Sequence, residues 1–311
     1  MGGPRKAGEL EVTGIGLQVS GSYFGGLIRR QTLDSMYLMP EAHSEGGAMI
    51  EAEKTYEHIL FEQDGAVAYV TMNRPNKRNA LSLAHMQELI SCFQEIGEDR
   101  DASVVILRGE GPAFCAGHDL SEMVGRDPGF YRHLFDVCCE LMEVIQGIPQ
   151  PVIAQVHATA TAAGCQLAAT CDLVVASEEA RFATPGVRIG LFCSTPMVAL
   201  SRAVGQKKSM EMLLTGEFIS AEKALAEGLV NRVVSAAELE TETRSLAEKI
   251  AEASPLVVGL GKQAFYRQLE MPTEQAYAYT REVISLNANF DDSQEGRGAF
   301  LEKRKPVWKG R

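Results

Sequence analysis

The sequence has no Cys-x-x-Cys pair, no apolar run long enough to cross a bilayer and no excess of basic residues. Each shortage removes a class. Seven cysteines without paired spacing offer no zinc-binding pattern, and an odd count fits reduced thiols in a cytosol-like compartment. A spanning helix would need about 20 consecutive apolar residues. With 30 Lys and Arg against 41 Asp and Glu, the formal net charge is −11, which argues against a general nucleic-acid binder. A polyanionic small molecule is still admissible where cations cluster locally.

Residues 1–54 also lack hydrophobic periodicity. No acidic residue occurs between Val12 and Leu33, and Arg29 and Arg30 lie inside that stretch, as in an organellar transit peptide. Glu9, Glu11, Asp34, Glu41 and Glu45 interrupt the pattern. A disordered extension, or a true start at Met49, are the other readings. The expected location is the cytoplasm, or the mitochondrial matrix if this extension is a transit peptide.

What is present is a soluble, globular composition: 311 residues, 45% apolar and 23% charged. Two β-rich runs flank Asp64-Gly65, the signature of a hairpin. Ser82 is placed to cap a helix over 83–97, and helical spacing of apolar residues runs from Phe130 to Gly147. Short buried strands are expected at 104–107, 152–156 and 173–176. Helices are expected at 196–204, 209–214 and 221–227, and most of the chain beyond Glu238 reads as helical. Strands alternating with helices give an α/β class.

Two turns carry the chemistry. After residues 104–107 comes Phe114-Cys115-Ala116-Gly117-His118-Asp119-Leu120. After residues 152–156 and His157, the stretch Thr159 to Gly164 supplies only Thr, Ala and Gly, with a helix starting near Ala162. Small residues let a ligand approach the backbone, and the first N–H groups of a helix lack intrahelical partners. Each turn can therefore supply one N–H to a single anionic oxygen.

This pair of turns resembles those of the enoyl-CoA hydratase/isomerase (crotonase) superfamily, whose first turn reads roughly F-x-A-G-x-D-[LI] and whose second reads G-x-x-x-G-G-G-x-x-L-x-x-x-C-D. The likeness covers roughly residues 57–308. It includes Asn73-Arg74-Pro75 through Asn79-Ala80-Leu81, the Gly216, Ala226 and Gly228 region, and the ending Lys303 to Trp308. The resemblance implies a spiral of β-β-α turns over residues 55–235, with a helical oligomerisation subdomain over 236–311. It further implies a homotrimer or homohexamer. The ligand it implies is an acyl-coenzyme A thioester, with no other cofactor and no metal. It places the oxyanion donors at the N–H groups of His118 and Ala163. Coenzyme A contacts would come from Arg74, Lys77, Arg78 and Ala80, from Asp119 and Leu120, and from Phe300 and Lys303.

Two departures matter. Hydratases of the family carry two glutamates that handle water and its protons. The matching positions here are Gln166 and Gly186. Glutamine orients water but accepts no proton at neutral pH, and glycine does neither. The expectation is an acyl-CoA-binding protein with weak or altered hydratase activity. Decarboxylation of a malonyl-type thioester, which needs no base, is an alternative; Gly117 to Leu120 also resembles the first turn of methylmalonyl-CoA decarboxylases. A non-catalytic acyl-CoA sensor or oligomeric scaffold is a third reading. The His118 side chain is either a bulky wall or a group titrating near neutrality. Ser194 is either a helix cap or a nucleophile, and Cys165 and Cys193 are either apolar filling or reactive thiols. Asp119 is expected to tie down the first turn.

Overall fold

A computed structural model describes residues 55–310. The hairpin expected around Gly65 is present: β1 (Ile59–Asp64) pairs antiparallel with β2 (Val67–Met72), with Asp64 opposite Val67. Helix α1 (Leu83–Glu98) starts where Ser82 accepts a hydrogen bond from the His85 N–H. Then follow β3 (Val104–Gly109), β4 (Ala113–Cys115), the single-turn α2 (Leu120–Met123) and α3 (Pro128–Gly147). Asp127 caps α3 through the N–H groups of Gly129 and Phe130.

The middle of the chain supplies β5 (Val152–Val156), β6 (Thr159–Thr161) and α4 (Ala163–Thr170). It continues with β7 (Leu173–Ser177), β8 (Arg181–Ala183) and a 3-10 turn at Pro185–Ile189. Next come α5 (Pro196–Ala203), α6 (Gln206–Thr215), β9 (Ile219–Ser220), α7 (Ala221–Ala226) and β10 (Arg232–Val234). Four helices close the chain: α8 (Leu239–Ala251), α9 (Pro255–Leu269), α10 (Thr273–Asn287) and α11 (Asp291–Glu302).

The strands form two sheets, one in the order β1-β2-β3-β5-β7-β10 and one in the order β4-β6-β8-β9. Each turn of the spiral gives one strand to each sheet: β3 then β4, β5 then β6, β7 then β8. The small sheet is absent from the expectations above. In particular, residues 159–161, expected as loop, are strand β6. Strands of two or three residues carry no readable periodicity, and their pairing to distant segments holds them extended.

The inner strands of the large sheet are covered on both faces, which is why β2, β5 and β7 are largely apolar, whereas the edge strand β1 is exposed from Leu60 to Asp64. Val105 and Leu107 of β3 face the main core with α1 and α3, whereas Val104 and Ile106 face a smaller cluster with Leu239 and Ala247 of α8. Helix α9 is fastened to the core by Lys262. Its ammonium pairs with Asp172 at 2.8 Å and donates to the carbonyls of Ile145 and Gln150, so this buried charge is fully partnered. Among the described residues no helix is long and apolar enough to cross a membrane.

Candidate active site

The first turn is held by the loop that precedes α1. The Leu81 N–H donates to the Gly117 carbonyl and the Asp119 N–H donates to the Leu81 carbonyl, making one parallel bridge between Leu81 and His118. In such a bridge the central residue bonds the neighbours of its partner, so the N–H of His118 itself faces the opposite side. Buried Asn79 locks the same loop, donating to the carbonyls of Glu110 and Ala113 and accepting from the Arg74 N–H. Asp119 does what was expected of it. Burial pushes its carboxyl up, but hydrogen bonds from Ser121 and Arg74 outweigh this and hold it below its ordinary value.

The second turn is held by β8, whose Ala183 carbonyl accepts from the Ala162 N–H at 2.9 Å. Ala162 has φ +52° and ψ −119°, a conformation that favours glycine and costs an alanine about 1–3 kcal/mol. This twist starts α4, leaving the Ala163 N–H as a first-turn donor without an acceptor among the described residues. The turns touch. A Cβ on Gly117, whose φ is +93°, would lie 2.9 Å from the Ala162 Cβ and 3.4 Å from the Ala163 nitrogen. Gly164 sits against β4 so closely that an added Cβ would stand 2.1 Å from the Cys115 carbonyl oxygen.

His118 and Ala163 both line one cavity of about 660 Å³, which is otherwise mostly apolar, with Met123, Phe135, Leu191 and Phe192 contributing. Among the described residues no Asp or Glu lines it, and the ionisable side chains there are His118, Cys193 and Arg188. The Arg188 Nε–H donates to the Thr215 carbonyl at 3.0 Å. Burial lowers His118 to about 4, so the ring is neutral at physiological pH and the reading of it as a group titrating near neutrality is not upheld. The ring stands edge-on to Phe135 with centroids 5.4 Å apart. Both its nitrogens are buried, and neither makes a well-formed hydrogen bond among the described residues, although the Leu81 backbone partly opposes the lowering by burial.

Neither vacant glutamate position offers a substitute. Gln166 is buried and does not line the cavity; its Oε1 faces the Cys138 thiol of α3 at 3.9 Å. At Gly186 an added Cβ would lie 2.3 Å from the Leu191 carbonyl oxygen and 2.8 Å from the Cys193 sulfur. The backbone of residues 190–193 therefore occupies the space a side chain at 186 would need. Burial raises the Cys193 thiol and pushes Cys165 up to about 12, which leaves neither as a reactive thiolate. Ser194 is neither cap nor activated nucleophile. The cap position of α5 is Thr195, and the Ser194 hydroxyl donates only to the Phe192 carbonyl at 3.4 Å.

The residues expected at coenzyme A divide into groups. Leu120 lines the cavity. The Arg74 guanidinium is turned inward, to Asp119 at 3.0 Å and to the Ala80 carbonyl, while Lys77 and Arg78 are exposed on the adjoining turn. Ala80 is buried. Phe300 and Lys303 are exposed at the end of α11 and do not line the cavity. Sequence reading missed Phe135 and Met123, whose apolar character is indistinguishable in sequence from ordinary core.

Residues 62–311 match the family model described as enoyl-CoA hydratase/isomerase. The chain belongs to that family. It is 43% identical over 299 residues to the mouse enoyl-CoA hydratase domain-containing protein 3, mitochondrial, covering 94% of this chain and 98% of the relative. The human protein of that name is 50% identical over 242 residues, 77% of this chain and 79% of the relative. A crystal structure of the human protein superimposes with a TM-score of 0.79 at 47% identity, over 81% of this chain and all of the other. An enoyl-CoA hydratase from Mycobacterium smegmatis gives a TM-score of 0.80, also at 47% identity, over 81% of this chain and 99% of the other. The α/β spiral with C-terminal helices expected from the resemblance is the fold this family member adopts.

Proposed function

We propose that this family member binds an acyl-coenzyme A thioester, seats the carbonyl oxygen between the N–H groups of His118 and Ala163, and does not hydrate enoyl thioesters at the rate of a two-glutamate hydratase. What supports the reading is that His118 and Ala163, on two turns in contact, line one cavity with no backbone acceptor for either N–H and no carboxylate among the described residues. Two oriented amides stabilise a thioester oxyanion, and losing one such donor costs about 3–4 kcal/mol in a transition state. Proton transfer by a positioned acid or base contributes about 10²–10⁴-fold, and nothing on this wall replaces the missing glutamates. Lys77 and Arg78, exposed beside the first turn, are the cations available to the nucleotide phosphates.

Decarboxylation of a malonyl-type thioester is the second reading, favoured by the same carboxylate-free apolar wall. The C–C bond to the carboxylate breaks, carbon dioxide leaves, and the electron pair becomes the enolate held by the two amides. Solvent then supplies the proton. No base is required at the positions of Gln166 and Gly186.

The test is to give purified protein crotonyl-CoA and methylmalonyl-CoA, following hydration and carbon dioxide release. Binding of both with little hydration is expected. Hydration at the speed of an ordinary family hydratase would refute the reading. The names of the mouse and human relatives favour a mitochondrial location over the cytoplasm for this chain. Residues 1–54, where a transit peptide was weighed, lie outside the described residues. Fractionation of cells expressing the C-terminally tagged chain checks the location, and recovery in cytosol alone would refute it.

A further inference from the structure

The family resemblance implies a coenzyme A contact for Arg74, yet its guanidinium is spent inside the protein. One terminal nitrogen donates to Asp119 Oδ2 at 3.0 Å, and the other donates to the Ala80 carbonyl. The two paired side chains are only 15% and 8% exposed. Lys77 and Arg78 are the exposed cations of the same turn.

The two acceptors have a particular placement. Ala80 precedes Leu81 and Asp119 follows His118, so they flank the bridge between Leu81 and His118. That bridge orients the His118 N–H, because Leu81 takes the Gly117 carbonyl and the Asp119 N–H on either side of it. A planar guanidinium donating through two separate nitrogens fixes the spacing of its acceptors, which an ammonium on a flexible stem does not. Arg74 is itself held. Its N–H donates to Asn79 Oδ1 at 2.9 Å, and its carbonyl accepts from the Asn79 N–H at 3.0 Å. The second Asp119 oxygen accepts from the Ser121 N–H and hydroxyl, which stops the carboxylate from turning away. Arg78 and Asn79 both adopt positive φ, +51° and +53°, so the turn keeps this shape only while contacts from outside hold it.

Resting on the thioester reading above, we propose that Arg74 is a positioning residue of the first turn. It acts through Asp119 and Ala80 to hold the His118 N–H toward the thioester oxygen, and it makes no contact with coenzyme A. One loop then carries two separate tasks: Arg74 serves the carbonyl, while Lys77 and Arg78 serve the phosphates.

The test pairs calorimetry on free coenzyme A with isotope-difference infrared spectroscopy of bound butyryl-CoA labelled with carbon-13 at its carbonyl. Hydrogen bonds polarise a thioester carbonyl and lower its stretching frequency. In the wild type the frequency should fall on binding. Arg74→Gln should bind free coenzyme A as the wild type does and lose most of that fall. Arg74→Lys, which keeps the charge on one nitrogen, should restore part of it. Arg74→Gln leaves the Asp119 carboxylate without its cation, so the double variant Arg74→Gln/Asp119→Asn, which buries no lone charge, is measured beside it and should lose the fall equally. A full wild-type fall in the double variant overturns the proposal alone. So does binding of free coenzyme A weakened about ten-fold or more in that variant, the mark of a lost phosphate contact. Failure of the wild type to bind butyryl-CoA, or binding without any fall, overturns the thioester reading and this proposal together.

Discussion

At the scale of single residues, two buried histidines set an acid limit on stability. Burial lowers His85 to about 3 and His118 to about 4, both below their ordinary value of 6.5. The folded chain thus binds these protons less readily than the unfolded chain. Stability is full above about pH 6.5 and is lost as pH falls toward 4 and then 3, by at most about 1.4 kcal/mol per pH unit for each histidine. Urea midpoints at pH 7 and pH 5 should show the loss, and His85→Leu should reduce it. An unchanged difference in that variant would remove His85 from the account. Asp119, held below its ordinary value, acts only at lower pH and does not contribute in this window. The same scale explains the missing chemistry. Both family glutamate positions were legible as Gln166 and Gly186. That the backbone at Leu191 fills the space beside Gly186 was not legible, because it depends on a loop closing back on itself.

At the scale of elements, the candidate oxyanion hole depends on how closely α4 approaches β4. Gly164 permits that approach, since any Cβ there would collide with the Cys115 carbonyl. Gly164→Ala is expected to push the start of α4 outward, displacing the Ala163 N–H. Destabilisation of about 1–3 kcal/mol or more should follow, with at least ten-fold weaker acyl-CoA binding. Thermal unfolding and calorimetry measure the two effects, and a variant with unaltered binding would show that the approach does not set the site. The sequence displayed α1 through its Ser82 cap and α3 through its apolar spacing, whereas the caps Asp127 of α3 and Ser254 of α9 came only with the structure. Helix α6 begins at Gln206, three residues before the expected 209, with Gly205 at its cap position. Strands β4, β6 and β8 were hidden because three residues cannot display a repeat.

At the scale of the whole molecule, the last three helices leave many of their larger apolar side chains exposed within one chain. Helix α10 has no buried residue, yet it carries Tyr277 at 74% and Ile284 at 62% exposure. Phe265 and Leu269 of α9 and Phe300 and Leu301 of α11 are also exposed. Apolar surface of this extent is what an association surface presents, and the homotrimer or homohexamer implied by the resemblance is the expected assembly. Three-fold closure, or two such rings, would cover it. Sedimentation equilibrium should give three or six times the 33.8 kDa chain mass. A monomer at micromolar concentration would refute this.

The sequence alone determined the class of the fold, the family, the two turns and the loss of both glutamates, because these reside in local spacing and in the identity of single residues. Tertiary structure decided that His118 and Ala163 line one cavity, that Gln166 turns toward α3 instead, and that burial holds His118 below its ordinary value. Those properties depend on which distant segments touch, through the Leu81 bridge, the Ala183 carbonyl and the Gly164 contact. Burial and hydrogen-bond partnership are relations between segments far apart in the chain, and no local pattern of residues encodes them.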